Sequence, residues 1–361
     1  MIRNARGANG GHMAELPAIA VVGAGLIGRT HVDVVARGAR LAAIVDPDSR
    51  AKDLADAYGA VWFADLEQYV AAHRPDGIIL ATPNQLHVEQ GLVCIRAGIP
   101  VLIEKPIAND AATAAALVDE AETRGVEILV GHHRRHNPLV AAAKAVLEEG
   151  RVGEIVSVTA EFWLYKPDDY FAPEWRRATG AGPVFINLIH DIDLLRHFCG
   201  NVENVQAMEA RAVRGFDVED SMAVLLRFAS GALATVSVSD TISAPWSWEF
   251  TSGENPVYPH ITTSCYKIGG THGALSVPDM VLWQHTDKRS WWEPIAAETV
   301  PFEAAEPLLR QLQNFIGVIR DGHAPLVSGR EGLESLRVVE AIKTAAVSGQ
   351  TVSLTHVPEA S

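Results

Sequence analysis

One stretch constrains the fold more than any other: Ala18 to Asp46, AIAVVGAGLIGRTHVDVVARGARLAAIVD. Ala18 to Val22 form an apolar run of buried-strand type. Gly23-Ala24-Gly25-Leu26-Ile27-Gly28 follows at once, and an apolar-periodic segment to Ala36 predicts a helix. A second strand, Leu41 to Val45, ends in Asp46. Gly23 permits the tight turn, Gly25 lets a pyrophosphate approach the backbone, and Gly28 lets helix and strand pack closely. Phosphates would sit on the unpaired N–H groups that open the helix at Leu26 and Ile27, at the positive end of its dipole. Asp46, eighteen residues past Gly28, is spaced to accept hydrogen bonds from an adenosine ribose. A glycine-rich turn alone occurs in many α/β domains. Strand, turn, helix and distant acid together point to a dinucleotide.

The 361 residues predict two domains, and 48% hydrophobic content suffices for two cores. A net charge of −14 argues against a nucleic-acid or anionic-membrane surface. No apolar run approaches a membrane span, and the N-terminus lacks an apolar signal core. Residues 1–16 read as a disordered leader or an expression remnant. Cys94, Cys199 and Cys265 are odd in number and widely spaced, which suits reduced thiols in a cytoplasm and offers no metal-ligand spacing. A cytoplasmic protein without nucleic-acid or membrane partners is expected.

After Asp46 the strand–helix alternation continues. Helices are predicted from Ser49 (as cap) to Tyr58, Asp65 to His73, Leu86 to Ala97 and Asn109 to Arg124. Strands are predicted at Val61–Phe63, Gly77–Ala81, Pro100–Glu104 and Glu127–Val130. This pattern implies an N-terminal doubly wound parallel sheet of Rossmann type over 17–136, with ligands at the carboxyl ends of its strands. Residues 137–361 read differently. A helix from Asn137–Pro138 to Glu149 is followed by strands from Glu154 and around Val205–Val213, Ser221–Phe228, Ala232–Val238 and Trp246–Thr251. Asn255–His260 and Gly269–Gly273 read as loops, and Leu308–Ile319 and Glu331–Ala346 as helices. The second domain is therefore α+β, on a large, open, mostly antiparallel sheet.

Lys105 stands between a strand-terminal acid, Glu104, and Pro106, at the edge where a nicotinamide belongs. A lysine there can donate to a substrate hydroxyl and stabilise alkoxide charge; the plainer reading is an exposed lysine paired with Glu104. In Gly182 to His197, Leu188, Ile192, Leu195 and Cys199 make one buried helix stripe, while Asn187, His190, Leu194 and His197 make a second, with Asp193 at i+3 from His190. That polar stripe suits a site wall or, equally, a structural His–Asp pair. Trp163, Tyr165, Lys166, Trp175 and Arg176 precede it, along with Arg177. Aromatic faces can stack on sugar rings, and cations can hold hydroxyls or a carboxylate. Trp283, Trp291 and Trp292 can contribute likewise or simply pack on the sheet. Arg134 or Arg135 can point into the cleft.

GAGLIG at 23–28, ATPNQLH at 81–87, EKP at 104–106 and the GxxxRxxP-like run at 131–138 resemble the glucose–fructose oxidoreductase/inositol dehydrogenase (Gfo/Idh/MocA) family over nearly the whole chain beyond the leader. The resemblance implies that Lys105 is catalytic, with a Lys–Pro bond that is often cis. It also implies that Thr82, Pro83, Asn84 and His87, with Glu104, lie near the cofactor. His87 on its own reads as a surface histidine at a helix start. His190 matches the family's catalytic histidine, with Asp193 as its following acid. Many members carry Asp four residues before this histidine. Here that position is Ile186, with Asn187 next.

The reading is an NAD(P)-dependent dehydrogenase acting on a secondary hydroxyl of a sugar, cyclic polyol or sugar acid. Asp46 favours NAD, and Arg50 leaves NADP open. A homodimer or homotetramer is implied by the family. The rival readings are an NAD-dependent glycoside hydrolase, which would retain NAD and form no net NADH, and a non-catalytic nucleotide-sensing regulator.

Overall fold

A computed structural model describes residues 16–178 and 180–355. The expected leader, apart from Leu16, lies outside them. Strands β1 (Ala18–Val22), β2 (Arg40–Val45), β3 (Val61–Phe63), β4 (Gly77–Leu80), β5 (Val101–Ile103) and β6 (Ile128–Val130) form a six-stranded sheet in the order β3-β2-β1-β4-β5-β6. Every neighbouring pair is parallel. Helices α1 (Leu26–Gly38), α2 (Ala51–Tyr58), α3 (Leu66–Ala72), α4 (His87–Arg96) and α5 (Ala111–Arg124) alternate with the strands. Because helices cover both faces, β1, β4, β5 and β6 are buried at every residue, which is why they read as unbroken apolar runs. Sequence order reverses between β1 and β4, the kind of switch point beyond whose strand ends ligands bind in open parallel sheets. Asp65 and Asp110 cap α3 and α5 through the amides of Gln68 and Thr113. Ser49 does not cap α2. Its helix starts two residues later, because the Asp48 carboxylate takes the Arg50 amide at 2.9 Å and turns the chain first.

Helix α6 (Pro138–Glu148), capped by Asn137, leads to β7 (Ile155–Trp163), α7 (Ile189–Cys199), β8 (Val202–Ala210), β9 (Ser221–Phe228), β10 (Leu233–Ser239), α8 (Trp248–Thr251), β11 (Tyr266–Gly270), β12 (Gly273–Val277), β13 (Val281–His285), β14 (Ile295–Thr299), α9 (Pro307–Asp321), α10 (Gly329–Ser348) and β15 (Val352–Ser353). The nine strands form one sheet, β14-β13-β12-β11-β7-β10-β9-β8-β15, antiparallel except where β7 meets β10. Its inner face packs with α6, α7 and α10, and β9 shows the expected alternation of buried and exposed residues.

Three expectations are corrected here. Trp246–Thr251 is no strand: the Thr251 hydroxyl reaches Ser247 O at 2.7 Å and closes a helical turn around the buried Trp248. Gly269–Gly273 is mostly strand. A Cβ on Gly270 would lie 2.3 Å from Val152 O and one on Gly273 2.7 Å from Trp283 O, so these glycines permit close backbone approach to the turn before β7 and to β13. Strand β8 ends at Ala210, since Asp220 draws the amides of Val213 and Arg214 into a turn.

The C-terminal helices pack against both sheets. Leu312 and Phe315 of α9 join Ile19, Val21 and Ile79 in the first core. Leu333 and Leu336 of α10 also face the parallel sheet, whereas its Val338, Val339 and Ile342 enter the core of the second.

Candidate active site

The glycine turn is built as its sequence demands. Gly23 has φ +92°, and a Cβ there would sit 2.6 Å from Ala81 O; on Gly28 it would sit 1.9 Å from Gly23 O. Nothing lies within 4 Å of a Cβ built on Gly25. Gly25 caps α1 with no side-chain hydrogen bond, so the first amides remain free, and Leu26 is 92% exposed beside them, with Ile27 partly so. A cleft of about 350 Å³ runs from this turn along Ala24, Gly25, Arg29, Asp46, Asp48, Arg50 and Ala51. The Asp46 carboxylate accepts from Ala24 N at 2.6 Å and Asp48 N at 2.8 Å, holding the turn and the β2 end together. Arg50 is paired with Asp48 instead of reaching over the cleft. Open space at Gly25, uncapped amides and a strand-end carboxylate fit a dinucleotide. Arg29 is a cleft residue that the sequence analysis missed; its place just after Gly28 was the available signal.

The ends of β4 and β5 are braced from behind. Both ring nitrogens of His87 face backbone carbonyls, Nδ1 at 2.8 Å from Pro106 O and Nε2 at 2.9 Å from Thr82 O. It is buried, not a surface residue, and burial lowers its pKa. Thr82 donates to Gln90, Pro83 is exposed, and Asn84 opens a short 3₁₀ turn. The Lys105–Pro106 bond is cis. Glu104 is buried against His31 Nε2 at 2.7 Å and accepts the Lys105 amide at 3.2 Å; although burial raises its pKa, His31 outweighs this and lowers it.

Lys105 Nζ reaches across to the second domain and donates to Ile186 O at 3.2 Å. Burial lowers its pKa; Glu104 opposes this and Arg134 adds to it. Ile186 belongs to a π-helical turn, Val184–Leu188, that precedes α7. Next along, His190 is buried with Nδ1 unpartnered. Burial first, then the charges of Lys105, Arg134, His133 and His132, hold its imidazole well below the ordinary value. It is therefore neutral and able to accept a proton. Arg134 is buried too, bonded to Asp191 at 3.1 Å and Glu249 at 2.9 Å, with Trp248 under its guanidinium. Arg135 turns away from the cleft.

Asp193 is not the partner of His190. Arg135 binds both its oxygens at 2.8 Å, Ser335 donates at 3.1 Å, and Arg135 holds it ionised against the penalty of burial. The predicted polar stripe also breaks up. The π turn shifts the register ahead of His190, Leu194 is core, and His197 lies against Arg135.

Asn187 instead meets Lys166, whose Nζ donates to Oδ1 at 2.8 Å. Lys166 is buried, which pushes its pKa down to about 8, with Asp240 3.8 Å away and the Tyr170 ring beneath. Arg176 stacks over the same ring at 4.0 Å. Trp163 lies on the outer face of the sheet, bonded to Ser237, opposite to its buried neighbour Phe162. Tyr165 is exposed near Arg214, Trp175 is 59% exposed with Arg176 over its ring, and Trp291 and Trp292 pack edge-to-face on each other in the exposed turn between β13 and β14, with Trp283 exposed on β13. Glu249 and Glu254, from α8 and the loop after it, bond to Arg134 and His133 and were missed in the sequence.

Among the described residues no cluster could hold a metal ion, and no helix is long and apolar enough to cross a membrane. Residues 18–132 match the family model "Oxidoreductase family, NAD-binding Rossmann fold", and residues 140–276 match "GFO/IDH/MocA C-terminal domain". The inositol 2-dehydrogenase of Arthrobacter sp. is 30% identical over 237 residues, covering 63% of this chain and 68% of that protein. The D-apiose dehydrogenase of Paraburkholderia graminis is 27% identical over 93% of this chain and 89% of its own. The crystal structure of the WlbA dehydrogenase from Bordetella pertussis, in complex with NADH and UDP-GlcNAcA, is 27% identical and covers 95% of this chain and 100% of its own, with a TM-score of 0.74. The chain is an NAD-dependent oxidoreductase and belongs to the GFO/IDH/MocA family.

Proposed function

We propose that the protein oxidises a secondary hydroxyl of a sugar, cyclic polyol or sugar acid. The observation that carries this is Lys105, from the end of β5, bonded to Ile186 O in the turn that leads into α7, four residues ahead of the buried His190 on which its charge acts. Bound in the glycine cradle, NAD supplies the hydride acceptor. Lys105 keeps donors to spare beyond its bond to Ile186 O, so it can bind the substrate oxygen and stabilise the negative charge that develops on it. His190 takes the hydroxyl proton. Asn187 and Lys166, already bonded to each other, orient neighbouring hydroxyls. Arg176, coupled to Lys166 through Tyr170, extends the cationic side toward a carboxylate. The dehydrogenase names of the relatives support the same substrate class.

The test is NADH formation with myo-inositol, scyllo-inositol, D-glucose, D-xylose, D-gluconate and D-glucuronate, with Lys105→Ala as control. Turnover that this substitution abolishes supports the proposal. No turnover with any compound, together with release of tightly bound NAD on denaturation, overturns it in favour of glycoside cleavage.

A further inference from the structure

His190 sits where a proton can be taken up but not kept. It is buried, its Nδ1 has no partner, and Lys105 and Arg134 face it. A proton accepted there must move on before the next turnover. Two other imidazoles flank it. The His132 ring lies 6.0 Å from it and the His133 ring 5.2 Å, each edge-to-face. They differ in what lies behind them. His132 is fully buried with neither ring nitrogen partnered, and its nearest carboxylate, Asp193 at 3.9 Å, is taken up by Arg135 and Ser335. That way is closed.

His133 has both an acceptor and an exit. Its Nε2 is 2.9 Å from Glu254 Oε1, and its side chain is 27% exposed. Glu254 is fixed in place by Asn137 Nδ2 at 3.0 Å and Trp248 Nε1 at 3.1 Å, so it orients the ring while remaining an acceptor. We propose that His133, oriented by Glu254, is the outlet through which the proton taken by His190 reaches solvent. This rests on the reading of His190 as the base. One proton leaves the substrate hydroxyl for His190, passes through one bridging water to the adjoining His133 as His190 returns to neutral, and departs to bulk water from the exposed side of that ring. Hydride and proton together account for the two hydrogens lost by the alcohol. The groups that face His133 electrostatically are Glu254 and Glu104 on the acidic side and His132, His136 and His190 on the other. Glu254 is a positioning residue, acting only through His133.

The experiment follows NADH absorbance and a pH-indicator dye together by stopped flow, in weak buffer, with the most active compound of the panel above. In the unsubstituted protein, proton release keeps pace with NADH. In His133→Gln the half-time of proton release lengthens on the order of tenfold relative to NADH formation, and added imidazole removes the lag. Glu254→Gln shows a smaller lag of the same kind, and it decides the matter if His133→Gln does not fold. Proton release at the unsubstituted pace, or a lag that imidazole leaves unchanged, overturns the outlet alone. No NADH from the unsubstituted protein with any compound overturns the proposed function and the outlet with it.

Discussion

The glycine cradle and the cluster around Lys105 and His190 are built from different materials. The cradle end is backbone: a glycine turn, free amides at a helix start, and one carboxylate, all within residues 23–51 and open to solvent. The chemical end is side chain, buried, and assembled from the ends of β5 and β6, the π turn, α7 and α8. Backbone amides have no titration to tune, so the cradle can bind a charged ligand while exposed. Lys105 and His190 owe their lowered proton affinities first to burial, to which Arg134 adds for both and Lys105 for His190. Damage at one end should thus change chemistry, and damage at the other binding.

The largest effect tests that division. Lys105→Ala and His190→Gln are each expected to lower kcat/KM by about 10³–10⁴-fold, while the NAD dissociation constant stays within about threefold. Calorimetric titration with NAD checks the second half, and a comparable loss of NAD affinity would break the comparison. The pH profile sharpens it. Because burial and cationic neighbours lower the His190 pKa, the neutral base persists as pH falls through the ordinary value of about 6.5, so the acid limb of kcat/KM lies below that pH. An acid limb at or above it would show that the base is elsewhere. Stability moves in the same range. His132 and His136, lowered to about 4 and about 3, are buried neutral. The unfolded chain binds their protons first, so stability is complete above about pH 6.5 and is lost as pH falls toward those values. Tm measured across the range separates this from the kinetic limb.

Asp193→Asn comes next. It leaves the buried Arg135 without a full counter-charge and is expected to cost about 3–5 kcal/mol of stability. The remaining folded enzyme should keep its pH profile, since Arg135 and Ser335 hold both oxygens of the Asp193 carboxylate. A shifted profile with unchanged Tm would restore it to the proton path.

The same division explains what could be read in advance. The cradle is contiguous, and each glycine answers a local backbone need, so Gly23, Gly25, Gly28 and Asp46 were legible as a group. The place of Lys105 at a strand end was legible, whereas its role was implied only by the family resemblance. Glu249 and Glu254 were not, because nothing local marks them. They enter the site only because α8 folds back under Arg134, and their Trp- and Phe-rich segment mimics a strand. The pairing of His190 with Asp193 was misjudged for a related reason. An i+3 spacing brings two side chains near one face, but a bidentate arginine from β6's end competes for the carboxylate, and no periodicity reveals it. Trp163 fell to strand parity: one residue from Phe162 is the other side of a sheet.

Gly25→Ala should act on the cradle alone. Gly25 has φ −70°, which alanine adopts without strain, and a methyl group there meets no protein atom. Tm is expected to stay unchanged, while NAD affinity falls about tenfold as the methyl fills the space a pyrophosphate needs. Lower kcat at saturating NAD would break the separation of the two ends.

The smallest effect concerns Arg50. It is an exposed cation beside the cleft, yet its guanidinium is held by Asp48, and Asp46 stands where an extra phosphate would lie. An exposed pair like this contributes little, so Arg50→Ala should change the KM for NAD by less than about twofold. The informative quantity is the ratio of NADPH to NADH formed. If Arg50 stays with Asp48, the substitution leaves that ratio unchanged. Asp46→Ser, which removes the negative charge from the cleft, should raise it. If Arg50→Ala instead abolishes NADPH formation, the arginine must leave Asp48 to meet the phosphate. The cradle would then contain one side chain that rearranges for its ligand, and its description as a backbone site would need that exception.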